Sequence, residues 1–250
     1  MALNIKTEGF VWDSDYTGII YLDEYAVGSE EYQRIISDLW DKGTFDNDQY
    51  KFSINEYLVC RAPINDEKGL DTVFRYTANG FIPIRGRSIK NNWVGEIYPR
   101  NTEQLCLMDS LLNPNVKIVY AGGGFGTGKT FLTHNYAIRE LENNQKKIIY
   151  VPNNSYTQNT MDLGALPGDL MEKILPSIGP LVDLVGIDQI NRWMQEERLE
   201  VVPVAYIRGR NFDNAIVLVS EAENLTEEHV KLLLGRCGKD TKIFFDGDIH

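Results

Sequence analysis

Eight consecutive residues, Gly123-Gly124-Phe125-Gly126-Thr127-Gly128-Lys129-Thr130, match the pattern G-x-x-x-x-G-K-[ST] in full. Glycines at this spacing let a loop curl until its backbone N–H groups point inward, an arrangement that cradles phosphate oxygens. A helix starting at the end of the loop adds the positive end of its dipole. Lys129 is expected to reach the β- and γ-phosphates, and the Thr130 hydroxyl to hold Mg²⁺. The nucleotide contacts are expected to extend one residue further, to Phe131.

Gripping phosphate is not hydrolysing it. Hydrolysis also needs a carboxylate that orients and deprotonates a water in line with the γ-phosphate. The run Ala215-Ile-Val-Leu-Val219 reads as a buried strand, and it ends in Ser220-Glu221. The usual ending is Asp-Glu, with the Asp supporting Mg²⁺ and the Glu acting on water. Glu221 is the expected base. Ser220 can hold a metal-bound water but brings no charge, and losing such support costs about 10–100-fold in comparable sites. Asp248, at the end of the next strand, is expected to make up part of the deficit.

These groups must be held by strands and helices. Apolar β-branched runs predict strands at Val116 to Ala121, Lys147 to Val151, Val201 to Ala205, Ala215 to Val219 and Lys242 to Phe245. Helical stretches separate them at Lys129 to Glu142, Ile187 to Glu197 and Thr226 to Arg236. Such alternation implies a parallel sheet covered on both faces. Upstream, Thr102 is expected to cap a helix carrying Leu105, Met108, Leu111 and Leu112. The first part of the chain reads differently. Tyr32, Ile35, Ile36, Leu39 and Trp40 share one helical face, among short strand-like runs at 18–22, 57–60, 72–76 and 81–85. Ala78-Asn79-Gly80 is a good hairpin turn, because Asn and Gly tolerate positive φ. The expected organisation is a small β-rich α+β region over 1–96 followed by a P-loop core over 97–250.

The 250 residues carry 36 acidic and 25 basic side chains, a net charge of −11, with 43% hydrophobic residues. That composition excludes disorder, a collagen-like fibre and a disulfide scaffold. Three scattered cysteines (Cys60, Cys106, Cys237) favour a reducing, cytoplasmic setting over a zinc site. No apolar run approaches the roughly 18 residues of a membrane span, and the N-terminus lacks a secretory pattern. The basic surplus sits between residues 51 and 100, with Arg75, Arg85, Arg87 and Lys90. It reads either as a solvated face or as a local patch for nucleic acid. His134 and His229 have no partner cluster and are expected to be structural.

Beyond the phosphate loop, the order of elements resembles the PhoH-like ATPases. The residues that carry this are Leu163-Gly-Ala-Leu-Pro-Gly-Asp-Leu-Met-Glu-Lys173, Tyr206-Ile-Arg-Gly-Arg210, Ser220-Glu-Ala-Glu-Asn224, Leu234-Gly-Arg236 and Gly247-Asp248. Asn55-Glu-Tyr-Leu, Tyr76, Trp93 and Pro99-Arg-Asn-Thr-Glu-Gln104 look like the connector of the branch that carries a PIN nuclease domain. The resemblance implies a RecA-like ATPase core related to superfamily 1 helicases, often a hexameric ring, linked to RNA metabolism or phosphate starvation. It further implies that Gln104 reads adenine, since a carboxamide donates and accepts at once. Arg208, Arg210 and Arg236 become candidates for an arginine finger or sensor. Asp169 and Lys173 belong to a family motif without a chemical role that we can assign.

Four departures from the family pattern bear on function. Ser220 replaces the metal-supporting Asp, and Glu223 stands where Gln is usual. Val151-Pro152 lacks a preceding Arg. Asp13, Asp15, Asp23 and Glu24 do not form a PIN metal pattern, so nuclease activity is not expected. The chain stops at His250, just after Phe245-Asp-Gly-Asp248, which leads us to expect a core truncated at its C-terminus. Three readings follow: an Mg²⁺-dependent ATPase, a nucleotide-binding switch or scaffold with weak or no hydrolysis, and an RNA helicase-type remodelling motor.

Overall fold

The computed structural model describes residues 17–46, 50–62, 70–152 and 175–248. Its chain contacts divide it into two compact units, residues 1–85 and 86–250.

In the first unit, β1 (Ile19–Leu22), β2 (Tyr57–Cys60), β3 (Thr72–Thr77) and β4 (Gly80–Ile84) form one sheet in that order. β1 and β2 run parallel, and the other neighbours are antiparallel. A short α1 (Glu24–Val27) leads into α2 (Ser29–Lys42). α2 buries Tyr32, Ile35 and Leu39, the i, i+3, i+7 stripe that its sequence lays along one face. Gly43 ends the helix in the left-handed conformation, and its carbonyl accepts from Phe81 N at 2.6 Å. Gly80 follows the expected Ala78-Asn79 turn at φ +105, with room for no side chain, since a Cβ there would lie 2.5 Å from Gly43 O.

The second unit is built on a five-stranded parallel sheet: β7 (Ile118–Gly122), β8 (Lys147–Val151), β9 (Leu199–Val201), β10 (Ala215–Val219) and β11 (Lys242–Gly247). The spatial order is β7-β11-β10-β8-β9. β10 is buried along its whole length, which explains its unbroken apolar run. Helices α3 (Thr102–Leu112), α4 (Lys129–Asn143), α5 (Gly179–Val185), α6 (Ile187–Gln195) and α7 (Glu227–Leu234) complete this unit among the described residues. Two apolar cores form around the sheet. One joins α3, α4, α5 and α6 through Met108, Leu132, Leu181 and Trp193, and the other includes Val217, Leu233 and Phe245.

Three details differ from the sequence reading. Asn101, not Thr102, caps α3, its side chain accepting from Gln104 N at 2.8 Å; two cap-forming residues stand in succession there, and the first has the extended backbone that a cap needs. β9 starts at Leu199 and ends at Val201, two residues before Pro203. A hairpin of β5 (Ile89–Asn91) and β6 (Gly95–Ile97) falls within the second unit rather than the first. It is tied to α4 by the buried pair Asn91 Nδ2 and Asn135 Oδ1 at 2.8 Å.

Candidate functional site

β7 delivers the chain into the glycine loop, and α4 begins at Lys129 directly after it. Gly128 caps α4 at φ 88, a left-handed conformation that a side chain strains. Gly126 is also left-handed, at φ 76. Thr127 Oγ1 closes the curl on Gly124 O at 2.9 Å. Beneath the loop, Lys129 Nζ donates to Gly123 O (2.6 Å), Gly124 O (3.0 Å) and Asp248 Oδ1 (2.9 Å). Phe125 stands at the tip almost fully exposed, and Phe131 lies on the first turn of α4, partly exposed.

The loop borders an open cavity of about 490 Å³. Gly126 to Phe131 line one side, and Ser220, Glu221, Glu223, Asp246, Gly247 and Asp248 line the end formed by β10 and β11. Strand order explains this convergence. β11 sits between β7 and β10, so the carboxyl ends of all three open on the same face, where open α/β sheets bind ligands.

Glu221 follows β10 in a left-handed conformation (φ 50, ψ 50), costly backbone of the kind held in place at functional sites. Burial raises the pKa of its carboxyl, and the charges of Glu223 and Asp248 push in the same direction. Ser220 also borders the cavity, beside the buried Tyr150, whose hydroxyl it influences. Burial pushes that hydroxyl up to about 12, against the pull of Ser220. Glu223 Oε2 accepts from Asp248 N at 3.1 Å, clamping the turn after β11.

The carboxylate in contact with Thr130 is neither Ser220's neighbour Glu221 nor Asp248. Thr130 Oγ1 donates to Asp246 Oδ2. Burial raises the Asp246 pKa, while the Thr130 bond and the Lys129 charge pull it back. Asp246 was missed in the sequence reading, although a charged residue in the apolar run Lys242-Ile-Phe-Phe-Asp-Gly247 was a visible signal. Asp248, which the sequence reading places at the metal, is paired with Lys129.

Gln104 lies against the loop, with its carboxamide already engaged at both ends. Nε2 donates to Thr127 O, and Oε1 accepts from Arg100 N, each at 2.9 Å. The candidate arginines stand elsewhere. Arg208 is exposed, and Arg210 pairs with Glu200 on β9, the strand at the opposite edge of the sheet from β7. Neither lines the cavity. Arg236 is partly buried, and its Nε has no hydrogen-bond partner among the described residues. Asp169, Lys173 and the Leu163 to Lys173 motif lie outside the described residues.

Much of the basic surplus is spent locally. Arg75 is buried in β3, Arg85 packs over the Trp40 ring at 5.5 Å, and Arg87 pairs with the buried Asp109 at 3.1 Å. Both histidines have structural positions. His229 completes a capping box with Thr226 on α7, and His134 is buried on α4, edge-on to the Tyr150 ring.

A divalent ion fits the floor of the cavity, where a hydroxyl and a carboxylate offer it hard oxygen donors side by side. No group of three His, Cys, Asp or Glu side chains that could hold an ion converges among the described residues.

A family model described as "PhoH-like protein" matches residues 96–250. The PhoH-like protein of Bacillus subtilis (strain 168) is 39% identical over 137 residues, covering 53% of this chain and 42% of that protein. Protein PhoH of Escherichia coli (strain K12) is 33% identical over 159 residues, covering 61% and 44%. The chain thus spans less than half the length of these curated relatives. Among solved structures, an arterivirus nonstructural protein 10 (helicase) in complex with DNA overlaps 86% of this chain and 48% of that one. It does so at 12% identity and a TM-score of 0.30, too loose to bear on function. No helix among the described residues is long and apolar enough to cross a membrane.

Proposed function

The chain belongs to the PhoH-like family and has the P-loop NTPase fold, and from that premise we propose that it binds ATP with Mg²⁺ and hydrolyses it. The observation that carries the proposal is the meeting of a complete phosphate loop with Glu221 and Asp246 around one cavity. The loop amides and the N-terminus of α4 bind the phosphates. Lys129 leaves Gly123 O, Gly124 O and Asp248 to meet the β- and γ-oxygens, exchanging one set of acceptors for another. Glu221 orients the attacking water and accepts its proton, a task that its raised pKa favours. Mg²⁺, when bound beside Thr130, neutralises charge on the phosphates. Gln104 supports the loop through Thr127 O, and its second N–H and second lone pair remain for an adenine edge.

Steady-state phosphate release tests the reading. Glu221→Gln should lower turnover by about 10²–10⁴-fold while nucleotide still binds, and Lys129→Ala should abolish both. Turnover unchanged in both variants would refute it. An arginine finger from Arg208 or Arg210 must act across a subunit boundary, because neither lines the cavity of its own chain. That role requires an oligomer, and turnover rising with protein concentration checks it. Coupling to RNA is supported by the family resemblance, with Arg85, Arg87 and Lys90 exposed in the basic stretch. RNA-stimulated turnover checks that link.

A further inference from the structure

We infer that the carboxylate supporting the metal has moved from the end of β10 to the end of β11, so that Asp246 does the work which Ser220 has given up. The inference rests on the nucleotide-binding reading above and assigns one part of that site. Its basis is the register. Val219 on β10 pairs with Phe245 on β11, so the next position along the two parallel strands sets Ser220 beside Asp246. The neutral and the charged residue are cross-strand neighbours at one depth in the sheet. On its other side β11 pairs with β7, Asp246 standing opposite Ala121, one residue before the strand ends at Gly122. Asp246 therefore sits between the phosphate loop and Ser220, and its carboxylate accepts the hydroxyl of Thr130.

The local electrostatics agree. An ionised carboxylate at the buried end of a strand is costly unless a cation or several donors compensate it. Among the described residues, the side-chain donor to Asp246 is a neutral hydroxyl, while Lys129 is held 2.9 Å from the more exposed Asp248. A divalent ion next to Thr130 supplies the missing charge. Ser220 meanwhile borders the same cavity beside Tyr150 and brings no charge to it.

The test is an exchange. Mn²⁺ replaces Mg²⁺, and its affinity for the protein bound to adenylyl imidodiphosphate is read by electron paramagnetic resonance. Binding of the same nucleotide in EDTA is read by calorimetry. Asp246→Ser should weaken Mn²⁺ by about 10–100-fold and leave metal-free nucleotide affinity within about threefold. The double variant Ser220→Asp with Asp246→Ser should recover most of the lost Mn²⁺ affinity. If Asp246→Ser does not fold, Asp246→Asn, which keeps the volume and the acceptor for Thr130, should show the same loss. Wild-type Mn²⁺ affinity in the Asp246 variants, or no recovery in the exchange, overturns the inference while nucleotide binding stands. No nucleotide binding by the wild-type chain overturns both.

Discussion

Replacing Asp248 by Asn should tighten nucleotide binding, the opposite of what its sequence position suggested. Asp248 Oδ1 lies 2.9 Å from Lys129 Nζ, with the two side chains 38% and 10% exposed. Two unit charges at that separation attract by about 1.4 kcal/mol in water and about 6 kcal/mol at an effective dielectric of 20. With more than a third of the Asp248 side chain in solvent, the low end applies, a net of about 1 kcal/mol. A triphosphate must take Lys129 from this partner and also approach a second negative charge. Asp248→Asn removes both penalties, so affinity should rise by about fivefold, converting that energy at 1.4 kcal/mol per tenfold. Titration calorimetry with adenylyl imidodiphosphate and Mg²⁺ measures it, and the gain should shrink in high salt. A loss of tenfold or more would refute the reasoning and return Asp248 to the metal.

Three further outcomes are expected. Gly128→Ala puts a side chain on a residue at φ 88, with its Cβ 2.9 Å from Gln104 Nε2; the strain of about 1–2 kcal/mol per left-handed residue should open the curl, and calorimetry should show nucleotide affinity falling by more than tenfold. Lys242→Met removes an ammonium that donates to Ser110 O, Leu111 O and Asn113 O at 2.6 to 2.9 Å at the end of α3; urea unfolding should show a loss of about 2–4 kcal/mol. Burial holds the His134 pKa down at about 4, below the unfolded value near 6.5. The unfolded chain thus binds the extra proton first: stability is full above about pH 6.5 and falls by about 3 kcal/mol as pH drops through 4. His134→Phe should flatten that part of the stability profile.

The phosphate loop was legible because its residues are contiguous and their chemistry is local. The buried run ending in Ser220-Glu221 was legible because β10 is covered on both faces and carries no polar interruption. Asp246 was not, because its meaning depends on β11 lying between β7 and β10. That order is set by packing between segments more than a hundred residues apart. The pairing of Asp248 with Lys129 was not legible for a related reason, since only the fold brings the two within reach of each other. The basic stretch read as either a solvated face or a patch, and its sequence did not show that Arg87 spends its charge on Asp109, twenty-two residues away. The β5–β6 hairpin escaped notice because its three-residue strands are too short to show alternation.

The end of β11 is fastened at two residues, Asp246 to Thr130 and Asp248 to Lys129 and Glu223. When a phosphate tail draws Lys129 away, one of those fastenings is released, while the backbone link to Glu223 stays. Residue 248 should therefore be held differently once a nucleotide fills the cradle. A label placed there would report the loading of the cradle without touching the nucleotide.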